Sequence, residues 1–281
     1  MKTLSLVLKV GLLILLIFAT GYYAEAQMWG VSGSGNVISQ ERSVTDFSTV
    51  KVQGSADVIL KQGDKISVVV QADDNLIANI ITKVKGDALI IETEGNIRNS
   101  KKFEVFVTVP RLDGIEINGS GDVDSDGKIS GNALSVSING SGDVELDLDY
   151  KSLRANVNGS GDIDISGITG DLDLGIMGSG DFEASGLRLN LCKISVFGSG
   201  DIKLSGSAAT VIVELSASGD VNLFNLTAES VDVRSNGSGD VVVNVNNSLK
   251  ASLSGSGDLT YSGSPGQVDV IANGSGSVYK R

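Results

Sequence analysis

The chain has 281 residues, among them 36 glycines, 2 prolines, 1 cysteine and no histidine, and 34 acidic against 22 basic side chains give a formal charge of −12. The missing histidine excludes imidazole catalysis and most zinc chemistry, and the single Cys192 excludes an internal disulfide or a thiolate metal cluster. The charge has the wrong sign for a phosphate-backbone partner, and aromatics at 5% leave little for a sugar-stacking or base-stacking surface.

In chain order, Lys2 and Lys9 precede the apolar run from Val10 to Ala19, and Ala24-Glu25-Ala26 places small residues where a signal peptidase reads. Residues 1–26 are therefore expected to be a signal peptide cleaved before Gln27, with export to the periplasm, the cell surface or the extracellular space. The apolar run is shorter than the ~20 residues of a spanning helix. No cysteine stands just after it to carry a lipid at this site. Residues 27–43 read as an N-terminal segment. From Val44 to Leu112, Val50–Val52, Ile66–Val70, Ala88–Ile91 and Phe103–Val109 read as strands, and Asp73 or Asp74 is placed to cap a short helix through Ile80. Residues 44–112 are expected to form a β capping region for residues 113–281. Charge shifts at this boundary: residues 27–111 carry 10 basic and 10 acidic side chains, and residues 112–281 carry 10 and 23.

Residues 113–281 repeat. Gly-Ser-Gly-Asp ends at Asp122, Asp143, Asp162, Asp181, Asp201, Asp240 and Asp258, Ala-Ser-Gly-Asp ends at Asp220, and Gly-Ser-Gly-Ser ends at Ser277. A period near 19 residues marks a repeat architecture. Gly33-Ser34-Gly35-Asn36 and Gly54-Ser55-Ala56-Asp57 echo the corner earlier, but 65 residues separate Asp57 from Asp122, so the regular array is expected to begin after an insertion.

Aligned on the aspartate, the next residue is always apolar, from Val123, Val144, Ile163 and Phe182 to Ile202, Val221, Val241, Leu259 and Val278. The column seven before it, and from the second coil on the column nine before it, are apolar too, and the column five before it is mostly Ile, Val or Leu; with polar residues between, this is strand alternation. Each unit should carry a strand of about six residues entering the corner and a shorter one leaving it. Asn-Gly pairs such as Asn139-Gly140 also fit an antiparallel meander of hairpins. The variable second connection and the single phase of the inward columns favour stacking. The expected fold is all-β, a right-handed parallel β-helix of about 19 residues per coil and nine coils, preceded by a more elaborate β capping region.

The order of features resembles a known family. Phe47-Ser48-Thr49-Val50-Lys51-Val52, Val58-Ile59-Leu60 with Gly63, Asn75-Leu76-Ile77, Val105 to Pro110 and then recurring Gly-Ser-Gly-Asp-Val are similar to the bacterial family called putative auto-transporter adhesin, head GIN domain. The resemblance spans roughly residues 44–281. It implies a right-handed β-helix exported from a bacterial cell and little about activity; no membrane-translocating β-barrel follows the repeats, so auto-transport by this chain is not implied.

The aspartate column, Asp122, Asp143, Asp162, Asp181, Asp201, Asp220, Asp240 and Asp258, admits two roles. Stacked carboxylates beside glycine turns resemble a calcium ladder. The favoured role is structural, each carboxylate accepting backbone N–H groups of its own corner. A second row, Asp124, Glu145, Asp164 and Glu183, interrupted by Lys203, is expected to face solvent. It is the feature a carbohydrate-active lyase or hydrolase would use, but fold alone confers no activity. Seven Asn-x-Ser/Thr matches occur, five of them products of the repeat, and the stacked asparagines should form an amide ladder inside the solenoid. No catalytic residue, cofactor or metal is expected. The reading is a non-enzymatic, adhesin-like binding or structural module whose partner would be a glycan, lipid or protein surface.

Overall fold

The computed structural model describes residues 30–281, so the expected leader lies outside the described residues. These residues form an all-β solenoid of about nine turns spaced about 19 residues apart. Parallel pairing decides between stack and meander. Val144 aligns with Val123 below and Ile163 above, Ile163 aligns with Phe182, and Phe182 with Ile202, all in parallel strands. A meander would reverse direction at every corner.

Stacking puts like on like and closes the core. The column after the aspartate is buried from Val123 to Leu259, as are the columns of Leu134, Leu153 and Leu172 and of Ile115, Val136 and Ala155. Branched side chains repeat at the ~4.8 Å strand spacing, so each inward column removes a continuous apolar strip from water. Cys192 takes a leucine's place in one such column and is fully buried.

The strands are longer than the alternation suggests. Val144–Val157, Ile163–Ile176, Phe182–Val196, Ile202–Leu215, Val221–Ser235 and Val241–Leu253 run 13 to 15 residues, nearly from corner to corner. The variable second connection stays in the ladder. Its register shifts between Asp147 and Ser152 and between Ser166 and Asp171 absorb the unequal coil lengths. Tyr150, Ile168, Leu187 and Leu226 close this third side of the core.

The stack begins earlier than the regular array. Thr49–Gly54 and Asp57–Gln62 pair in parallel with Gly114–Gly119 and Val123–Ser125, so the Gly54–Asp57 corner is already the first of the column. On their other side lie Ala88–Thr93 and Phe103–Val109, also parallel. The 65-residue step is therefore a detour that builds a layer beneath the first coil before the chain returns above it. Ser67–Asp73 then runs antiparallel on Phe103–Val109, Val37–Glu41 antiparallel on Ser67–Asp73, and Ile80–Lys85 antiparallel on Ala88–Thr93. These strands cover the edge that the first coil would expose.

Two local expectations are corrected by the structure. The helix reduces to one 3-10 turn, Ile77–Asn79, without a side-chain cap. Asp73 is instead fully buried and accepts the N–H groups of Gly35 and Lys101, and this backbone bonding, Lys101 first, holds its carboxyl below the usual range. The Gly33–Asn36 echo does not join the corner column. It latches the cap: Ser34 N–H donates to Asn75 Oδ1 at 2.9 Å and Asn36 Nδ2 to Asp74 Oδ2 at 2.9 Å.

Candidate functional site

The Gly-Ser-Gly-Asp corner is dictated by how closely successive coils approach. A Cβ at Gly159 would stand 2.0 Å from the Gly140 carbonyl oxygen, and one at Gly161 would stand 2.1 Å from the Gly142 oxygen. Glycine fills both columns throughout the regular array except at Ala217, which stands in the first-glycine column. The serine between them donates its N–H to the coil below, as Ser160 does to Gly140 O at 2.9 Å.

The carboxylates do not bond to their own corners. Asp122 Oδ1 accepts the N–H of Asp143 at 2.8 Å, Asp143 that of Asp162 at 2.8 Å, Asp162 that of Asp181 at 2.7 Å and Asp181 that of Asp201 at 2.7 Å. Asp201, Asp220 and Asp240 serve Asp220, Asp240 and Asp258, each at 2.8 Å, and Asp258 serves Ser277 at 2.7 Å. Below, Asp57 serves Asp122 at 3.1 Å. In-register corners bring the next coil's N–H directly over each carboxylate, so the column is an inter-coil ladder. The asparagine ladder exists too, with Asn139 Nδ2 on Asn118 Oδ1 and Asn158 Nδ2 on Asn139 Oδ1 at 3.1 Å each, but it lies on the outside of the corner, not within the core.

The second acidic row forms as expected. Asp124, Glu145, Asp164 and Glu183 occupy neighbouring register positions and end at Lys203, whose Nζ lies 2.6 Å from Glu183 Oε1. With Asp147 and Ser166 the first three line a shallow opening of about 360 Å³. Partial burial, and then the neighbouring Glu145, raises the Asp124 carboxyl. Partial burial and Glu183 do the same to Asp164. The Ser166 hydroxyl, with Lys128, lowers Asp147. Among the described residues no three His, Cys, Asp or Glu side chains gather as a metal centre would require.

Two surface features escaped the column reading. The column eight before the aspartate reads Ser135, Arg154, Asp173 and Lys193, and with Arg111 and Asp113 it lines an opening of about 630 Å³. Arg154 meets Asp173 at 3.1 Å and Arg111 meets Asp113 at 2.7 Å. The column four before the aspartate holds Asn or Ser in seven coils but Met177 and Phe197 in two, and these are 59% and 58% exposed. Departures from a strict repeat were the signal available for the second feature; the first was visible only as charges alternating along one column.

This is a parallel solenoid whose outward columns carry polar and charged ladders over an apolar stack. The family model of the putative auto-transporter adhesin, head GIN domain, matches residues 46–204 and 193–265, and the chain belongs to this family. A crystal structure of a putative adhesin from Parabacteroides distasonis is similar with a TM-score of 0.70 at 25% identity, covering 90% of this chain and 100% of that one. A putative adhesin from Parabacteroides merdae gives 0.67 at 20% identity over 90% and 99%, and a putative lipid binding protein from Parabacteroides distasonis gives 0.64 at 23% over 89% and 99%. The last two support the fold. No curated protein matches the chain.

Proposed function

We propose that the protein is an exported, non-enzymatic, adhesin-like module that binds an extended ligand laid along the solenoid. The observation that carries this reading is the opening lined by Arg111, Asp113, Arg154, Asp173 and Lys193, which crosses consecutive coils in place of converging on one point. Five layers at the strand spacing span on the order of 20 Å, the reach of several sugar rings or of a short extended peptide. Arg154 and Lys193 are two of only 10 basic residues that residues 112–281 carry against 23 acidic ones. Their exposed ion pairs hold little free energy, about 0–1 kcal/mol each, so a ligand can exchange with Asp173 or Asp113 at small cost. Family membership supports the adhesin-like role, and the leader-like residues 1–26 support export.

The test is a binding screen of the purified protein against immobilised glycans and host-matrix proteins, with the doubly substituted Arg154→Ala, Lys193→Ala variant alongside. Binding that falls at least tenfold in the variant is expected. Release of reducing ends or unsaturated sugars from any bound polysaccharide would instead favour the carbohydrate-active alternative, in which Asp124 and Asp164 with their raised carboxyls would be the acids to substitute.

A further inference from the structure

We infer that the corner around Phe197 is a subsite for one neutral pyranose ring of a glycan, an inference that rests on the adhesin-like reading and names its ligand class. The repeat itself points there. Seven coils place Asn or Ser four residues before the corner aspartate, where the side chain leaves the core, so folding requires no apolar residue at this position. Met177 and Phe197 depart from that rule in adjacent coils, and each leaves more than half of its surface in water. An exposed aromatic ring fixed on a strand end is a rigid flat surface with few rotamers to lose on binding.

What surrounds the ring is polar in the right way. Phe197 lines one opening of about 430 Å³ with Glu214, Ser216, Arg234, Asn236 and Ser254. That volume is within the range of small-ligand sites. Arg234 Nη1 holds Glu214 Oε1 at 3.1 Å, which fixes a donor group and an acceptor side by side. Asn236 supplies an amide that both donates and accepts, and Ser216 and Ser254 supply hydroxyls in the same column. A pyranose has one face of C–H groups and a rim of hydroxyls. The face fits the Phe197 ring, and the rim fits the carboxylate, guanidinium, amide and hydroxyl groups. Charge selects the neutral sugar: Glu214 and the neighbouring Asp232, 3.7 Å from Arg234 Nη2, leave no net positive charge at the opening for a uronate or sulfate.

Affinity electrophoresis tests the assignment, with the protein run through gels containing soluble β-glucan, xylan, galactomannan, pectin or hyaluronan. At least one neutral polysaccharide is expected to retard the protein, Phe197→Ala to weaken that retardation about tenfold, and Phe197→Trp to keep it. Ala and Trp at so exposed a position leave the fold intact, which melting curves verify. Retardation undiminished in Phe197→Ala, retardation by the acidic polymers only, or none in any gel would overturn the subsite. Binding retained by Phe197→Ala but lost in the Arg154 and Lys193 variant would overturn it while leaving the adhesin-like reading in place. Binding to matrix protein with no glycan retardation would do the same.

Discussion

At the Asp162 side chain the choice between a structural ladder and a calcium ladder becomes a measurement. Asp162 Oδ1 accepts the Asp181 N–H at 2.7 Å. Asp162→Asn keeps an acceptor oxygen and should change stability little, whereas Asp162→Ala strands that N–H and should cost about 1 kcal/mol. Neither wild type nor variant should gain thermal stability in millimolar calcium; a gain of several degrees in wild type, reduced in Asp162→Asn, would refute the ladder as structure alone. Two buried acids set the alkaline limit. Burial pushes the Cys192 thiol up to about 12 and the Tyr150 hydroxyl, which donates to Leu112 O at 2.7 Å, up to about 12. Both are neutral when protonated, and the unfolded chain gives up these protons near 9 and 10. The folded state therefore holds more protons above those values, and stability must fall as pH rises from about 9 toward 12. Tyr150→Phe should flatten the upper part of that fall. Cys192 in the native protein should resist a bulky thiol reagent at pH 8, and prompt labelling would contradict its burial.

At the level of the coil, the second glycine of the corner is kept in all nine units of the regular array, whereas the first gives way to Ala217 in one. Gly161→Ala drives a methyl onto the Gly142 carbonyl and should destabilise by several kcal/mol, since backbone on both sides must shift. Ala56 holds the equivalent place in the first corner, beneath which no Gly-Ser-Gly corner lies. Ile163→Asp, at a position 1% exposed between Val144 and Phe182, should cost about 3 kcal/mol or more. An unchanged melting temperature in both variants would reject the stacking register. The period, the inward columns and the Gly-Ser-Gly corners were legible in the residues because each is a local pattern repeated many times. Three things were not. The direction of the aspartate bonds depends on the coil above, which alignment places in a column without saying what touches what. The asparagines lie outside the core because the corner turns them away one residue after the last inward side chain. The first coil at residues 49–62 was hidden because its neighbour in space is 65 residues away in sequence, and single-sequence periodicity carries no information about a detour. Phe197 and Met177 were readable as breaks in the Asn/Ser column, but only exposure distinguishes such a break from a core substitution.

Across the whole molecule, acid should act in opposite directions on rod and cap. Asp57, Asp124 and Asp164 have carboxyls raised, first by burial and then by neighbouring acids. A carboxyl raised in the folded state opposes folding when ionised, so its unfavourable contribution shrinks as pH falls from neutral through that raised value. Asp73 and Asp74 are lowered, Asp73 by backbone N–H bonds led by Lys101 and Asp74 by Ser34 and Asn36. Their stabilisation is complete above the ordinary carboxylate range near 4 and is lost below it. The first group sits on the coils; the second fastens the N-terminal strands over them. Melting temperature should therefore rise modestly as pH falls from neutral toward the carboxylate range and drop once pH goes below about 4. Added salt should raise it at pH 7, because screening relieves the repulsion among the carboxylates of the Asp124–Glu183 row. Below pH 4 the order of opening should be spatial: amides of residues 31–41 and 67–80 lose protection from hydrogen exchange first, while those of residues 144–253 persist, since their stack needs no lowered carboxylate beyond Asp147. A stability maximum at neutral pH would show that the raised carboxyls do not weigh against folding, and uniform loss of protection along the chain would show that the cap and the rod unfold as one unit.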